Sequence, residues 1–440
     1  MMKEINKNNA FKWSLLLLMG LLFCQTTSAQ SNTQTRTVEH TFSGKKVVSL
    51  DHSYGPIKVH PSSDNTVRLV ARMEVEGSGS EDIEKTLRQL KVTIDEFDDR
   101  LQLSTRLSIE NWNSNNKRIK IKFRDGTKVS KIKTLKVYTD LYIPQLESLQ
   151  LSNKYDNIYL GNIETALEIE LYSGRLEAKD VKGNVELKLK YSKAQLGSIA
   201  NGDFNLYDSK INLERAQALV VESKYSEGSM GPTQTLRLKT YDDNFRIGDI
   251  AGALELEDKY SEFEFGTFQN AVLDVYDSDI QLKTVQQLKI NKSKYSEFRI
   301  QSIDQLDFTY SYDDKWIIDE LGSMEGESKY TEFSIRTCHR GLDVKSYDDN
   351  IIIRKVMSTF DHLELSGKYT ELEFPIPSTL AYQLEANLTH GKLDFPENRF
   401  ENQYYKEKSS KLEVRGRTTG ASDTSPKVLF DVYDCRINLR

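Results

Sequence analysis

The sequence has little cysteine, no long apolar stretch after its first residues and no excess of basic charge. Three cysteines occur in 440 residues. Cys338 and its neighbour His339 have no further Cys or His at ligand spacing, so we predict no metal site and no cofactor. Crossing a bilayer takes ~20 apolar residues, and we predict no transmembrane segment in the mature chain. The 60 basic and 66 acidic residues argue against nucleic-acid binding.

The N-terminus has the pattern of a secretory signal peptide. Three lysines precede the apolar run 14–23, and the small residues of 27–29 offer a cleavage site. We therefore predict a signal peptide over residues 1–29 and export to the periplasm or the cell surface. Bulky Phe23 stands before Cys24, where lipoprotein signals carry a small residue, which favours export without a lipid anchor.

A tyrosine recurs every 16 to 22 residues from residue 155 to residue 369. These tyrosines are Tyr155, Tyr172, Tyr191, Tyr207, Tyr225, Tyr241, Tyr260, Tyr276, Tyr295, Tyr312, Tyr330, Tyr347 and Tyr369, and Tyr433 repeats the pattern near the C-terminus. A fixed period of this kind is typical of repeat architectures.

Two kinds of repeat alternate along the chain. In the first kind Lys precedes the Tyr, and apolar residues follow three and five positions later, as Phe263 and Phe265 follow Tyr260. In the second kind Asp usually follows the Tyr, and the apolar residues come four and six positions later, as after Tyr276. Like kinds recur about every 35 residues.

Each unit contains two short segments of alternating apolar residues, which indicates strands with one buried face. A unit this short does not bury that face alone, so neighbouring units must stack on a shared core. We predict an all-β chain, a single β-helix (β-solenoid) with about 17–18 residues per coil. A coil of about 35 residues with four strands is the alternative. The rule for parallel connections suggests a right-handed coil.

The N-terminal region 30–150 is predicted to be an irregular cap that includes the first coils. Tyr54, Ile57 and Val59 repeat the first kind. The apolar spacing predicts a short helix near 81–92, with Ser80 as its N-cap, and we expect this helix to cap the solenoid.

The regular array is predicted over 151–376, and residues 377–440 should form degenerate terminal coils. Within them, 382–395 is an irregular coil, and the polar segment 397–427 is predicted to be a loop. Residues 430–439 restore the second kind, so the chain should end on a coil strand.

The two cysteines of the mature chain are predicted to stay reduced, although exported proteins often carry disulfides. Cys338 and Cys435 lie 97 residues apart in the sequence. At ~4.8 Å per coil this separation is about 27 Å, against a Cα limit of ~7 Å for a disulfide.

The order of these parts resembles a known family. An opening strand with a Gly turn, a helix, the segment 138–144 that leads into the coils and a final Asp-x-Ile-x-Leu-like strand are similar to the bacterial putative-adhesin β-helix family of unknown function. The family's usual Ser-Gly-Asp turn is mostly replaced here by Tyr-Ser-Glu and Tyr-Asp-Asp. The resemblance implies an envelope location and a non-enzymatic role, and it supplies no catalytic residues.

The recurring tyrosines have two interpretations. They can form a platform for sugar rings or for aromatic ligands, or a structural ladder at the corner of the coil, with rings stacked on one another. We favour the ladder, because recurrence in every unit is what packing requires.

Acidic residues recur two positions after these tyrosines and are candidates for a binding surface. They are Glu227, Asp243, Glu262, Glu297, Asp314, Glu332, Asp349 and Glu371, with a break at Ser278. If each unit is one coil, these carboxylates stack at ~5 Å and repel one another. The lysines that precede the first-kind tyrosines can relieve that repulsion, or bound calcium can; we favour the lysines.

A basic stretch in the N-terminal region is a second candidate surface. Nine Lys or Arg and one Asp lie between Lys117 and Lys136, and they include Lys120, Lys122 and Arg124. Such a stretch can bind anionic glycans or lipid headgroups. Because Ile119, Ile121 and Phe123 alternate with the basic residues, a solvated hairpin is the interpretation that we favour.

These observations predict an exported, non-catalytic scaffold of the cell envelope that binds a glycan or another surface component. The oligomeric state stays open. The alternative is a carbohydrate-active β-helix enzyme, a polysaccharide lyase or glycosidase that uses paired acids, with or without calcium. A unique site requires a departure from the repeat, and the departures are 228–232 and Trp316.

Overall fold

The computed structural model describes residues 32–115 and 118–440, and the predicted signal peptide lies outside the described residues. Of these residues 72% are in strands and 3% in helices, and they form a β-solenoid with one α-helix. The predicted fold class is therefore confirmed. The described residues divide into two compact units, a smaller one that contains 32–39, 70–92 and 105–138 and a larger one that contains the rest.

The strands before the regular array and the helix have the following bounds: β1 (Asn32–Ser43), β2 (Val47–Ser53), β3 (Ile57–Pro61), β4 (Thr66–Gly77), α1 (Ser80–Leu87), β5 (Thr93–Glu96), β6 (Arg100–Ser104), β7 (Ile109–Asn115), β8 (Arg118–Phe123) and β9 (Lys128–Ile143). The first half of the array has β10 (Ser148–Lys154), β11 (Ile158–Leu160), β12 (Ala166–Tyr172), β13 (Arg175–Ala178), β14 (Val181–Lys190), β15 (Lys193–Tyr207), β16 (Lys210–Lys224), β17 (Glu227–Met230), β18 (Thr235–Tyr241), β19 (Asn244–Ile247) and β20 (Ile250–Lys259). The second half has β21 (Glu262–Tyr276), β22 (Asp279–Lys294), β23 (Glu297–Tyr312), β24 (Lys315–Lys329), β25 (Glu332–Tyr347), β26 (Asn350–Val356), β27 (His362–Lys368) and β28 (Glu371–Glu373). The C-terminal strands are β29 (Gln383–Thr389), β30 (Lys392–Asp394), β31 (Phe400–Lys408), β32 (Lys411–Thr418), β33 (Lys427–Tyr433) and β34 (Arg436–Asn438).

Successive coils of the larger unit pair in parallel, residue against residue. Phe263 lies opposite Ile280, and Ile280 lies opposite Phe298, so one coil takes 17 residues and the next takes 18. The predicted coil length is confirmed, and the 35-residue alternative is wrong. Each coil has a strand before its tyrosine and a strand after it, and the turn between them is here called the tyrosine corner.

The core is a column of apolar side chains from alternate strand positions. In β21, Phe263 and Phe265 are at most 3% exposed and Glu264 between them faces solvent, just as Leu273 is buried between two exposed residues. A period of two along a parallel strand places the same face inward in every coil. Burial of this shared face, at ~25 cal/mol per Å² of apolar surface, is the main force that holds the stack together.

The first coil is separated from the second by a long excursion of the chain. β2 and β3 carry Tyr54 at their corner and pair in parallel with β10 and β11, which confirms the predicted first coil. On the other side, β6 pairs with β2, and residues 139–143 of β9 pair with β3. The edge of the first coil is therefore covered by strands from the excursion.

The C-terminal coils do not follow the order of the sequence. β33 and β34 pair with β27 and β28 on one side and with β29 and β30 on the other. The last strands of the chain therefore form the penultimate coil. The terminal coil is the earlier segment with β29 and β30.

The predicted loop over 397–427 is wrong. β31 and β32 form an antiparallel hairpin, and β32 pairs antiparallel with β29 on the side opposite β33. Because this hairpin covers an edge, most of its side chains face solvent, whereas Val414 and Thr418 are buried. A strand pair with so few buried positions has the composition of a loop.

The smaller unit contains the helix α1. The helix ends at Leu87, earlier than predicted, because the N–H groups of Gln89 and Leu90 bond to carbonyls three residues before them, a tight 3₁₀-type turn. Gly79 is the N-cap, so the assignment of Ser80 is wrong. The Asp82 carboxylate in the first turn accepts the N–H groups of Ser130 and Lys131. The role of α1 as a cap of the solenoid stays a prediction.

Two further sequence predictions concern the described residues. Cys338 and Cys435 are both free and buried. Within residues 32–115 and 118–440, no helix has the length and apolar character needed to cross a membrane.

The hairpin of β31 and β32 should keep the solenoid from associating through its terminal edge. We expect that replacing residues 398–419 by a short Gly-Ser linker exposes β29 and produces concentration-dependent association, because unpaired strand edges recruit further strands. Sedimentation velocity over a range of concentrations measures this. The same deletion with Asn387→Lys, which places a charge on the exposed edge strand, is the matched control and should associate less. A deletion variant with the sedimentation behaviour of the full chain would show that the hairpin has no such role.

Candidate binding edge at the tyrosine corner

The tyrosines of the corner form one continuous ladder along the larger unit. From Tyr155 to Tyr433 the ring centroids of neighbouring coils are 5.3–5.9 Å apart, and the ring planes meet at 78–90°. The ladder is confirmed, but the rings meet edge to face and do not stack face on face. This geometry sets the positive edge of one ring against the negative face of the next.

The alternation of the two kinds of repeat produces this geometry. In the first kind the Tyr itself has a left-handed backbone, with φ from 54° to 70°. In the second kind the residue after the Tyr does, with φ from 45° to 57°. The register therefore sets each first-kind Lys opposite a second-kind Tyr, as Lys259 lies opposite Tyr276. Neighbouring rings leave the backbone from two different positions, so they approach at a right angle.

The two ends of the ladder support this explanation. Tyr54 and Tyr155 are both of the first kind, and their rings are tilted by only 31°. At the other end Tyr433, of the second kind, lies between Tyr369 and His390, whose backbones both have positive φ. The alternation thus follows the order of the coils in space.

The first-kind tyrosines of the ladder are about half-exposed, and most of the second-kind tyrosines are less exposed. Tyr155, Tyr225 and Tyr369 are 53%, 47% and 43% exposed. Desolvation, followed by the neighbouring tyrosines, raises the pKa of Tyr225, Tyr260, Tyr295 and Tyr330. The phenols therefore stay protonated at neutral pH and can donate as well as accept hydrogen bonds.

The acids that follow the tyrosines do not stack on one another, and that expectation was wrong. The register offsets the two kinds by one residue, so Glu262 lies opposite Asp279 and Glu332 lies opposite Lys315. The glutamates of the first kind form an outer row, whereas Asp243, Asp314 and Asp349 point inward and are 2–4% exposed. The offset separates the acids that lie two residues after the tyrosines, but Glu262, Asp279 and Glu297 still lie opposite one another. Desolvation, and then the charges of Glu297 and Glu262, raises the pKa of Asp279.

The buried aspartates belong to a column of polar side chains inside the corner, here called the polar seam. It contains Ser192, Ser209, Ser226, Asp243, Ser261, Ser278, Ser296, Asp314, Thr331, Asp349, Thr370 and Cys435. Corner N–H groups donate to the seam residue of the next coil, as Ser226 N donates to Asp243 Oδ1 at 2.5 Å and Ser296 N to Asp314 Oδ1 at 2.8 Å. The seam satisfies backbone groups that the turn leaves buried.

One buried carboxylate was missed from the sequence. Asp258 comes from the strand before the corner, and it is 2% exposed. Its oxygens accept hydrogen bonds from the hydroxyls of Thr240, Ser261 and Ser278, each at 2.6 Å. The signal that marks it is an acid at an inward position of the strand pattern, where alternation calls for an apolar or small residue.

Burial shifts the titration of these aspartates. Desolvation raises the pKa of Asp243 and of Asp314 to about 6, and the hydrogen bonds that they accept counteract it only in part. The pKa of Asp258 and of Asp349 is raised by the same cause. The seam is thus a set of structural carboxyls.

The predicted acidic binding residues fall in two environments. Glu262, Glu297 and Glu332 belong to the outer row, and Glu297 contacts Arg299 and, at 3.6 Å, Lys315. Asp314 and Asp349 belong to the polar seam. Among the described residues, no group of three or more His, Cys, Asp or Glu side chains is arranged to hold a metal ion. A binding role for the glutamates stays a prediction.

The predicted basic residues lie in the smaller unit, on a hairpin of β7 and β8. Ile121 and Phe123 are buried, and Lys120 and Arg124 face solvent, as the hairpin interpretation predicted. Lys122 Nζ contacts Glu110 Oε1 at 2.6 Å. A ligand for Lys120, Lys122 and Arg124 stays a prediction.

The departures from the repeat are packing features. At 228–232, Gly228 takes a core position between Ile211 and Phe245, and Met230 is buried at the next inward position. A Cβ at Gly228 would lie 1.9 Å from Ile211 O, so Gly is required there. Trp316 is fully buried, with its ring 3.8 Å from that of Phe298.

Several solved structures are similar to the chain over most of its length. A putative cell adhesion protein from Clostridium sporogenes is 10% identical, covers 92% of this chain and 99% of its own, and has a TM-score of 0.15. A putative adhesin from Bacteroides fragilis is 11% identical, with 74% and 97% coverage and a TM-score of 0.20. A putative lipid binding protein from Parabacteroides distasonis is 8% identical, with 78% and 97% coverage and a TM-score of 0.20.

Two of these neighbours are putative adhesins, as the resemblance noted from the sequence implied. At such TM-scores and identities, none of the matches carries an argument about what this chain does. No protein-family model matches the sequence, and neither does any curated protein.

The ring contacts of the ladder should contribute measurably to stability. Tyr276→Ala removes the contacts with Tyr260 and Tyr295, and we expect a loss of about 1–3 kcal/mol, since one ring pair contributes ~0.5–1.5 kcal/mol. Tyr276→Phe keeps the ring and its contacts with both neighbouring rings, and it should change stability by less than about 0.5 kcal/mol. Urea unfolding, followed locally by hydrogen exchange because solenoids unfold in parts, measures both. Equal losses in the two variants would assign the contribution to the hydroxyl.

Asp314 should make stability depend on pH. Its raised pKa means that the folded protein binds this proton more tightly than the unfolded chain. The resulting stabilisation is complete below about pH 4 and is lost as the pH rises through about 6. Asp314→Asn removes the titration, so the stability of the wild-type protein relative to the variant should fall by up to about 3 kcal/mol between pH 4 and pH 7.

Denaturant unfolding at a series of pH values tests this expectation. The variant should be less stable overall, because an amide nitrogen does not accept the hydrogen bonds that Ser311 and Tyr312 donate to Oδ2. Ser209→Ala, at the same seam position without a carboxyl, is the control and should show a difference from wild type that does not vary with pH. A constant difference for Asp314→Asn would contradict the prediction.

Proposed function

We propose that this chain is an exported, non-catalytic β-helix scaffold of the bacterial cell envelope, with an adhesin-like binding or structural role. The observation that carries the proposal is that several of the recurring acids are buried and have a structural role. Asp243, Asp314 and Asp349 accept backbone and hydroxyl hydrogen bonds inside the corner. Cleavage of a glycan by paired carboxylates needs both of them at the substrate, and seam residues are turned away from solvent.

The side chains that remain exposed recur along the stack. The half-exposed tyrosines and the charged residues beside them repeat from coil to coil, which favours contact with an extended partner over a single reaction centre. The partner in this proposal is a glycan or another component of the envelope surface. Export rests on the sequence pattern of residues 1–29.

Two measurements on the full chain test the proposal. An epitope tag in the turn at Ser409 should be recovered from the periplasm or the cell surface, and the exported protein should begin at Gln30, whereas a variant without residues 1–29 should stay in the cytoplasm. The purified protein should release no reducing ends from a panel of polysaccharides, with or without calcium. Retention of the full-length protein in the cytoplasm would refute export, and turnover that Glu262→Gln or Glu297→Gln abolishes would refute the non-catalytic role.

A further inference from the structure

The exposed edge at the tyrosine corner carries charged residues of both signs at fixed backbone positions. The last position before the corner supplies lysines in first-kind coils: Lys190, Lys224, Lys259, Lys294, Lys329 and Lys368. The corner itself supplies exposed aspartates in second-kind coils: Asp208, Asp242, Asp277, Asp313, Asp348 and Asp434. Each set recurs on every second coil, which corresponds to about 9.6 Å at ~4.8 Å per coil.

Part of this edge forms a groove. A cavity of about 600 Å³ runs along it from the coil of Tyr191 to the coil of Tyr260. Tyr191, Tyr225 and Tyr260 line the groove, and Asp208 and Asp242 lie between them. Aromatic rings and carboxylates therefore alternate along its length with the period of two coils.

The charges of the groove disfavour an anionic ligand. Lys210 and Glu227 line it and pair at 2.9 Å, Lys193 and Glu262 add one charge of each sign, and Asp208 and Asp242 leave the lining net negative. A polyanion would lie against Asp208 and Asp242, and an apolar chain would desolvate these carboxylates without compensation. A sugar ring presents a flat C–H face to a tyrosine ring and hydroxyls to carboxylates and phenols, so it matches both features of the lining.

The spacing suits a chain of sugars. The first-kind tyrosines are about 9.6 Å apart, which is close to the length of two β-linked pyranose rings in an extended chain. A ligand with that repeat presents the same ring face to each successive tyrosine.

We propose that the groove from Tyr191 to Tyr260 binds a linear, uncharged polysaccharide parallel to the solenoid axis, with one disaccharide for every two coils. This inference rests on the proposed binding scaffold and names the ligand class of its exposed edge.

Calorimetric titration of the full chain with β-1,4-linked glucose oligosaccharides of two, four and six sugars tests the inference. Affinity should rise with length, by at least about tenfold from two sugars to six, because each added disaccharide reaches a further tyrosine. Affinity that does not increase with length, or no binding of the six-sugar probe, overturns the inference.

Matched triple variants separate the groove from the ladder as a whole. The groove variant combines Tyr191→Asn, Tyr225→Asn and Tyr260→Asn. It should bind the six-sugar probe about tenfold more weakly or worse, since three ring contacts are lost. Asn tolerates the positive φ of these positions, so the backbone is kept. Tyr295→Asn, Tyr330→Asn and Tyr369→Asn remove the same kind of residue outside the groove and should change affinity by less than about twofold. Equal losses in the two variants overturn the inference.

Three further arms distinguish other outcomes. If the groove variant loses self-association in sedimentation and its control does not, the edge binds a second copy of the chain. If the protein co-sediments with uncharged phosphatidylcholine vesicles and binds no glycan, the edge binds a lipid surface. Either result overturns the inference. If the groove variant still binds whole envelopes, the inference about the groove is overturned and the proposed scaffold function is not. Release of reducing ends from the probe overturns the proposed non-catalytic function as well.

Discussion

Edge-to-face packing of aromatic rings requires two ring orientations, whereas a stack of identical coils offers only one. This chain meets the requirement by moving the left-handed residue of the corner by one position in alternate coils, from the Tyr itself to the residue after it. At the last position before the corner, Lys in one coil therefore lies opposite Tyr in the next coil, and at the following position Tyr lies opposite the residue after the Tyr, usually Asp. The pair Tyr54 and Tyr155 lacks this alternation and lacks the right angle. Alternation of the corner therefore determines the ring geometry, and the ring geometry is uniform wherever alternation holds.

The polar seam follows from the same corner. A turn with a left-handed residue directs backbone N–H groups inward, where water does not reach them, and each must find an acceptor. Ser, Thr and Asp are short enough to supply one from the neighbouring coil, and Cys435 takes that place in the penultimate coil, where its sulfur accepts the N–H of Thr370 at 3.4 Å. Buried Asp accepts more hydrogen bonds than Ser but raises its own pKa by desolvation. The seam thus satisfies the buried N–H groups of the corner and places carboxyls of raised pKa there.

Period and alternation in the sequence were sufficient to predict the solenoid, the coil length and the ladder, because each depends on residues that recur at fixed intervals. The predicted stacking of acids failed because it treated the two kinds as if they shared one register, and the offset that separates Glu262 from Asp243 comes from backbone conformation. The hairpin over 400–418 was missed because an edge strand buries few side chains. Asp258 was missed because it belongs to the strand before the corner and does not recur. For the edge, the sequence indicated which side chains would be exposed, but the groove depends on how neighbouring coils place them.

The order of the C-terminal coils shows how strongly the ladder constrains the chain. If the segment with His390 followed Tyr369 directly, two corners with positive φ at the ring-bearing residue would be adjacent, as they are at Tyr54 and Tyr155. The strand with Tyr433 and Asp434 is of the second kind, and its insertion between them keeps the rings perpendicular. That insertion requires the chain to pass out and return, and the hairpin of β31 and β32 occupies the path and covers β29. The insertion of this strand thus extends the alternation of ladder rings to the last coil, and the hairpin that covers β29 lies in the connection that the insertion needs.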